Sequence, residues 1–310
     1  MSDAGAQGRA GRGSWVRWLV VLLPYAWLLL FFLIPFLIVL KISFSMAATA
    51  QPPYTPVIDL ALGIPALIDA VREFTIDNYL WLTQDSLYAR AYLSSVWIAF
   101  VSTILVLLVG FPMAYGMARA PRTWQPLLVM LVILPFWTSF LIRVYAWIGI
   151  LKKEGLLNQF LMWIGLISEP LTILNTNWAV YIGIVYSYLP FMVLPLYAAL
   201  ERMDHSLLEA ASDLGSPPTR AFWQITLPLA VPGIIAGCFL VFIPVTGEFV
   251  IPDLLGGTDT MMIGKTLWSE FFANRDWPLA SAVAIVLLLI LIVPIVIFQN
   301  QEQRRTERNA

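Results

Sequence analysis

Residues 201–247 read ERMDHSLLEAASDLGSPPTRAFWQITLPLAVPGIIAGCFLVFIPVTG. The charged residues end at Arg220, and the run Ala221–Gly247 contains no Asp, Glu, Lys or Arg. This run exceeds the ~20 residues that a helix needs to cross a hydrocarbon layer about 30 Å thick. The sequence of this region therefore predicts a structured polar loop that leads directly into a membrane-spanning helix.

Five more runs in the chain lack charged residues: Trp18–Leu40, Ala91–Ala118, Thr123–Ile142, Pro170–Leu200 and Trp277–Gln301. Only 12% of all residues are charged and 60% are hydrophobic, whereas soluble domains carry about 25% charged residues. Because unpaired backbone groups are costly in lipid, these runs should be helices. The sequence therefore predicts an all-α integral membrane protein with one transmembrane domain (residues 15–303) and six spans, at about 18–40, 92–117, 126–150, 177–199, 229–252 and 279–299.

The two ends of the chain are predicted to be cytoplasmic tails, residues 1–14 (disordered) and 304–310. Both ends and the short loop at residues 119–125 are rich in arginine, and the positive-inside rule weighs such short segments most. The apolar run Trp18–Leu40 is longer than the ~7–15 residues of a signal-peptide core, so we expect it to be retained as the first span.

The polar segment contains regularly spaced small and turn-forming residues. Glu209-Ala210-Ala211 is followed three residues later by Gly215, and nine residues after that by Ile225-Thr226-Leu227-Pro228. We expect a short helix over residues 204–214, with Asp204 or Ser206 as its N-cap. Gly215 should end it in the left-handed conformation. Pro217-Pro218 should then turn the chain into a second amphipathic stretch, Arg220–Leu227.

This spacing resembles the cytoplasmic coupling loop of permease subunits in binding-protein-dependent ABC importers, and residues 201–228 meet every fixed position of that signature. The resemblance implies a six-helix type I importer transmembrane domain (MetI-like) in the bacterial inner membrane. It also implies three partners: a cytoplasmic ATPase dimer, a second related permease and an extracytoplasmic binding protein. The ATPase-coupling residues that it implies are Glu209, Ala210, Ala211, Gly215, Ile225, Leu227 and Pro228.

The ATPase itself is expected to be a separate chain. A phosphate-binding loop needs G-x-x-x-x-G-K-[ST], and the nearest match, Gly264-Lys265-Thr266, has Asp259 where the first glycine is required. Cys238 and His205 are the only residues of their types, so no zinc site is expected. We therefore predict a transport permease that is not an enzyme, has no cofactor and does not bind nucleic acid.

Residues 243–257 and 272–280 resemble the corresponding stretches of polyamine importer permeases, most closely the putrescine type, and this resemblance implies a polyamine-binding protein as the external partner. An ionisable residue at membrane depth indicates function, and Glu248 is such a residue. A diammonium cargo would favour a carboxylate and aromatic faces along its path. The candidate path residues are Glu248, Phe249, Tyr145 and Tyr186, with Arg143 as a possible partner of Glu248. Further aromatic candidates are Trp147, Tyr181 and Tyr188.

Several alternatives remain open at this point. Related permeases carry iron, sulfate or thiamine, and the second permease could be identical or different. Glu248 could form a structural ion pair, and the tyrosines could pack or lie at the membrane interface. An ion-coupled transporter or an intramembrane enzyme would share the six spans but would not need the coupling loop.

Overall fold

The computed structural model describes residues 20–57, 68–69, 71–204 and 206–309, with side chains through Val296 apart from that of Pro294. The predicted tail 1–14 and His205 lie outside the described residues. The chain divides into two compact units, residues 85–269 and, together, residues 1–84 and 270–310.

All regular secondary structure in the described part of the unit formed by residues 85–269 is helical. We number the helices of the chain in order, and those of this unit are α3 (Ser86–Arg119), α4 (Gln125–Ile133), α5 (Phe140–Leu151), α6 (Leu156–Trp163), α7 (Asn177–Glu201), α8 (Ser206–Asp213), α9 (Pro218–Thr246), α10 (Val250–Leu254) and α11 (Ile263–Trp268). A 3-10 turn, Leu134–Trp137, follows α4, and a π-helical turn, Phe222–Thr226, lies inside α9.

Helices α3, α7 and α9 pack together as the core of this unit. Their buried faces carry aliphatic and small residues such as Val106, Ile184, Met192 and Val241, all fully buried. Small residues let membrane helices approach closely, and close approach matters in lipid because van der Waals packing drives association there. Most of the charge-free sequence thus forms one packed bundle.

The third predicted span, residues 126–150, is not one straight helix. It is divided into two arms, Gln125–Trp137 and Phe140–Trp163, which meet at an angle of 88°. Thr138 and Ser139 have extended ψ values of 150° and 136°, so the helical hydrogen-bond ladder stops there. Pro135 promotes the break because it lacks an N–H group and crowds the preceding turn.

The fifth predicted span, residues 229–252, differs at both ends from the helix in the structure. Helix α9 begins earlier, at Pro218, and ends at Thr246. Glu248 therefore lies in the break between α9 and α10 rather than inside a helix. The second and fourth predicted spans lie within α3 and α7, and α3 begins six residues before the second span.

The other unit contains α1 (Val20–Ser43), two paired strands (β1, Met46–Ala47; β2, Tyr54–Thr55), α2 (Asp77–Gln84) and α12 (Trp277–Asn309). The side-chain amide of Asn78 donates to the carbonyl oxygens of Ser43 and Ser45, at 2.9 and 2.8 Å, and so joins α2 to the end of α1. The strands are a small departure from the all-α prediction. Helix α12 continues through residues 304–309, which were predicted as a tail.

Four of the described helices (α1, α3, α7 and α9) are long and apolar enough to cross a membrane, and the bent pair would be a fifth if it is one span. Helix α12 is apolar over a shorter stretch, Trp277–Val293. The count of six spans stays a prediction.

Candidate functional site

The segment with the coupling-loop spacing begins with a capped helix. Oδ1 of Asp204 accepts the N–H of Ser206 at 2.9 Å, as an N-cap side chain does. Helix α8 follows over Ser206–Asp213, with Glu209 in its first turn. This start is close to the predicted helix 204–214.

Gly215 ends this helix as the spacing predicts. Its φ is +75°, its N–H donates to the carbonyl of Ser212 at 2.8 Å, and the N–H of Ser216 donates to the carbonyl of Ala211 at 2.9 Å. This pair of bonds is the Schellman motif, which satisfies the last carbonyls of a helix. Gly215 thus determines the direction in which the chain leaves α8.

The chain then enters the long helix α9 directly. Pro217 is extended, with φ −65° and ψ 150°, and α9 begins at Pro218. The predicted second stretch, Arg220–Leu227, is therefore the start of a transmembrane helix and not a separate element. The ring of Phe222 packs edge-on against Phe111 and Tyr115 of α3, at 5.7 and 5.8 Å between ring centroids, and this contact holds the start of α9.

The surface of this loop exposes apolar side chains. Leu214 is 88% exposed and Trp223 is 66% exposed, while Glu209 and Ala210 are also exposed. Ala211, Ile225 and Leu227 are partly buried, and Pro228 is exposed. An exposed apolar surface beside a carboxylate is typical of a protein contact site.

A second candidate site surrounds Glu248, which is buried. Its Oε2 accepts a short hydrogen bond from the hydroxyl of Tyr188. Its Oε1 accepts the backbone N–H groups of Phe249, Val250 and Ile251, at 3.2, 3.0 and 3.4 Å. The carboxylate thus caps the N-terminus of α10, where a negative charge is favourable.

Glu248 lines a cavity of about 520 Å³ whose other walls are mainly aromatic and apolar. The lining residues are Phe136, Phe140, Ser187, Tyr188, Phe191, Pro244, Gly247, Glu248, Phe249 and Val250. The hydroxyl of Ser187 is buried and has no hydrogen-bond partner among the described residues. The cavity therefore combines a carboxylate with aromatic faces, a set that suits an ammonium group.

The buried guanidinium of Arg143 lies next to this cavity. Its Cζ is 5.4 Å from the ring centroid of Phe136 and 5.7 Å from that of Phe140. Within the described part of the chain, no carboxylate is within salt-bridge distance of it, and its Nε and Nη1 have no hydrogen-bond partner. The ion pair with Glu248 that the sequence allowed is not formed in this structure.

The segment after Glu248 folds back against it. Helix α11 approaches so closely that a Cβ on Gly264 would lie 2.3 Å from the carbonyl oxygen of Gly247. The rings of Phe249 and Trp268 stack at 4.4 Å between centroids, and Lys265 pairs with Asp253 at 3.3 Å. These contacts hold Phe249 at the edge of the cavity.

The predicted path residues fall in three places. Glu248 and Phe249 line the same cavity. Tyr186 lines a different, apolar groove between α3, α4 and α7, and the side chain of Tyr145 is 58% exposed on α5. Tyr188, a further aromatic candidate, lines the cavity with Glu248. The sequence did not single out Phe136, Phe140 and Phe191, because they come from charge-free runs in which aromatic residues are common.

Comparison with known proteins identifies the class of the chain. Residues 9–307 match the family described as "Binding-protein-dependent transport system inner membrane component". The chain belongs to this family. Its members are transport permeases, and the predicted class of protein is thereby confirmed.

Curated relatives of this permease include the spermidine/putrescine transport system permease protein PotB of Haemophilus influenzae. It is 41% identical over 280 residues, which cover 90% of this chain and 92% of the relative. PotB of Escherichia coli K12 is 44% identical over 225 residues, which cover 73% of this chain and 82% of the relative.

Among solved structures, a chain of similar fold is found in the crystal structure of a bacterial ABC transporter involved in the import of the acidic polysaccharide alginate. The TM-score is 0.67 and the identity 21%, over 95% of this chain and 96% of that chain. Together with the family match, this likeness confirms the predicted ABC importer permease fold.

Proposed function

We propose that this permease forms one half of the membrane path of an ATP-driven importer whose cargo is a polyamine such as putrescine or spermidine. The observation that carries the cargo assignment is the 41% identity, over nine-tenths of the chain, to a spermidine/putrescine permease. The Glu248 cavity supports it, because a carboxylate and aromatic walls stabilise an organic ammonium ion.

In this proposal, Glu248 and Phe249 contact the cargo amine in passage. Tyr145 and Tyr186 are not part of the proposed cavity, because one is exposed on α5 and the other lines a separate groove. The capping bonds to Oε1 hold the carboxylate in place, and Oε2 is the oxygen that has only one donor, Tyr188. An arriving ammonium group would therefore bind to Oε2.

The second part of the proposal concerns the ATPase. Helix α8 and the first turns of α9 form the contact with a cytoplasmic ATPase dimer, through Glu209, Ala210, Ala211 and Gly215 and through Ile225, Leu227 and Pro228. Since α9 continues from this loop without interruption to Thr246, a push on the loop is transmitted to the residues next to Glu248. A second, related permease and an extracytoplasmic polyamine-binding protein complete the importer, and both termini are in the cytoplasm.

The cargo assignment is tested by uptake of labelled putrescine into cells that express the complete importer. Glu248→Gln should reduce uptake at least about tenfold, since loss of a charged contact to the passing amine costs ~1.5–3 kcal/mol, while assembly with the partners changes much less. Glu154→Gln is the matched control, because Glu154 is an exposed carboxylate on the loop between α5 and α6. Equal losses of uptake and assembly in Glu248→Gln would contradict a cargo contact, and absence of putrescine uptake by the wild type would contradict the cargo.

A further inference from the structure

A polar cavity of about 1040 Å³ lies at the end of the helical bundle that carries the coupling loop. Arg119 at the end of α3 and Arg122 in the following loop line it, together with Glu201 at the end of α7 and Asp204. All four residues are exposed. Among the described residues, neither arginine forms an ion pair with a carboxylate. The cavity, which we call the Arg119 cavity, therefore offers both positive and negative groups to a ligand.

Side-chain contacts hold the wall of this cavity in place. The amide nitrogen of Gln125 donates to two backbone carbonyls at the end of α3, at 3.2 and 3.1 Å. Its Oε1 accepts the hydroxyl of Tyr197 at 3.3 Å, which joins the loop to α7. The Cζ of Arg119 lies 4.5 Å from the ring centroid of Tyr115, within the range of a cation–π interaction. The loop after α3 is thus attached to the bundle at several points.

An apolar groove of about 620 Å³ follows the cavity along the same helices, α3, α4 and α7. Met117 lines the groove and its neighbour Ala118 lines the cavity; on α4, Leu128 lines the groove one turn after Gln125 of the cavity. A Cβ added to Gly116 would meet no atom within 4 Å, so this part of the groove, which we call the Gly116 groove, is open. A charged cavity therefore continues into an open apolar groove.

The spacing along α7 matches the dimensions of one bilayer leaflet. Pro190 lines the groove and Glu201 lines the cavity, and the helix between them rises by about 16 Å. Half of a hydrocarbon core about 30 Å thick is about 15 Å. Trp124, which is 57% exposed at the start of α4, lies between the cavity residues Arg122 and Gln125 in the chain, and tryptophan is enriched at the headgroup level of membranes. The cavity thus has the position of a headgroup site and the groove that of an acyl-chain site.

We propose that the Arg119 cavity and the Gly116 groove together bind one phospholipid with a phosphoethanolamine headgroup, from the leaflet on the side of the coupling loop. The lipid phosphate contacts Arg119 and Arg122, because guanidinium groups bind phosphate well. The ammonium group lies toward Glu201, and an acyl chain lies in the groove over Gly116. A headgroup with negative charge alone would leave the carboxylates of the cavity unmatched, and a charged side chain of the ATPase would leave the groove empty.

This site goes beyond the transport path and does not depend on the cargo. Met203 and Asp204 line the cavity and lead directly into helix α8. A bound headgroup therefore joins the end of α3 to the start of the coupling loop, and the lipid limits how far the loop moves relative to α3.

The phosphate contact is tested by native mass spectrometry of the complete importer, released from nanodiscs that contain equal amounts of phosphatidylethanolamine and phosphatidylglycerol. The wild type should retain phosphatidylethanolamine preferentially. Arg119→Gln combined with Arg122→Gln should reduce the retained phosphatidylethanolamine about tenfold or more, since each arginine near a lipid surface strengthens binding severalfold. Arg202→Gln is the matched control, because Arg202 is exposed at the same end of the bundle but does not line the cavity. Equal retention by the double variant and the control would overturn the proposal.

The choice of headgroup is tested by Glu201→Gln in the same nanodiscs. This variant removes a negative charge that faces the ammonium group, so the retained lipid should shift toward phosphatidylglycerol. Asp204 is left unchanged, because its side chain caps α8. An unchanged ratio of the two lipids would overturn the assignment of phosphoethanolamine.

The acyl-chain part is tested by Gly116→Phe, which fills the groove. It should reduce retained lipid as the arginine variants do, whereas Gly149→Phe should not, because Gly149 is an equally open helical glycine outside the groove. If Gly116→Phe fails to assemble, the smaller Gly116→Leu replaces it. Loss of the second permease or the ATPase from these variants with lipid retention unchanged would overturn the proposal, since it would mean that a protein partner occupies the site.

Discussion

Replacement of Gly215 by valine should uncouple the ATPase from the membrane path without removing the protein from the membrane. Gly215 has a φ of +75°, and a Cβ built there meets no atom within 4 Å. The cost of a side chain is therefore conformational and not steric. For an L-residue the left-handed region costs about 1–2 kcal/mol, and more for a β-branched residue.

This conformational cost destabilises the C-terminal end of one short helix. Helix α8 runs over Ser206–Asp213, and its last carbonyls are satisfied by the two Schellman bonds that require the left-handed turn. A loss of 1–2 kcal/mol reduces the ratio of the correctly ended helix to its unwound alternatives by a factor of about 5–30. ATP-driven putrescine uptake should fall by up to that factor, while the amount of protein in the membrane stays unchanged.

The chain contains a matched control for this substitution. Gly165 has a φ of +71°, is equally open, and ends helix α6 with the same pair of bonds, from its own N–H to Met162 and from Leu166 to Leu161. Gly165→Val therefore applies the same strain outside the proposed coupling loop and should leave coupling intact. If both variants reduced uptake to the same degree per molecule in the membrane, the coupling role of Gly215 would be refuted.

Comparison of Gly215→Asn with Gly215→Asp separates backbone strain from charge. Both side chains tolerate the left-handed region better than most, so Gly215→Asn should retain much of the uptake. The coupling-loop resemblance predicts that Gly215→Asp abolishes transport. A larger loss in Gly215→Asp than in Gly215→Asn would then report an unfavourable negative charge at the ATPase contact.

Three further predictions follow from contacts in the structure. Tyr188→Phe removes only the hydroxyl that donates to Glu248, so it should cost about 1.5–3 kcal/mol of interaction with the carboxylate and lower putrescine uptake at unchanged protein level; unchanged uptake would contradict this. Gly264→Ala places a Cβ 2.3 Å from a backbone oxygen and should lower the free energy of unfolding by about 1–3 kcal/mol, which a lower thermal midpoint would show. Gly116→Ala is the control and should not lower the midpoint, because a Cβ there meets nothing within 4 Å. Burial raises the pKa of Asp276. The protonated carboxyl therefore stabilises the fold at acid pH, and this contribution is lost as pH rises through the raised pKa. Asp276→Asn should flatten the dependence of the thermal midpoint on acid pH, and an unchanged pH profile would contradict the effect.

Much of this protein could be predicted from local sequence. The charge-free runs determine that the chain is a helical membrane protein, because lipid leaves backbone groups no partners other than those within a helix. The residues from Asp204 to Pro228 determine the capped helix, the left-handed turn and the restart at proline, since glycine permits a positive φ and proline fixes φ independently of distant contacts.

The Glu248 cavity was decided by tertiary structure alone. Tyr188 lies 60 residues before Glu248 in the chain, and nothing in the spacing distinguishes it from Tyr186, which lines another groove. The 88° break after Trp137 brings Phe136 and Phe140 to the same cavity, although the sequence predicted a single span there. Proline predicts that a kink will occur, but its angle depends on what packs around it.

The sequence by itself thus determined the membrane class, which depends on composition, and the turn at Gly215 with the restart at proline, which depend on local backbone preferences. The family followed from the resemblance of residues 201–228 to a known signature. Only the tertiary structure showed that the carboxylate of Glu248 caps a helix and binds Tyr188, and that Arg143 lies over two rings of the same cavity without a carboxylate partner among the described residues. The reason is physical. In a chain with so many aromatic and aliphatic residues, the few polar contacts around Glu248 depend on helix rotation and bending, which are set by packing between segments distant in sequence.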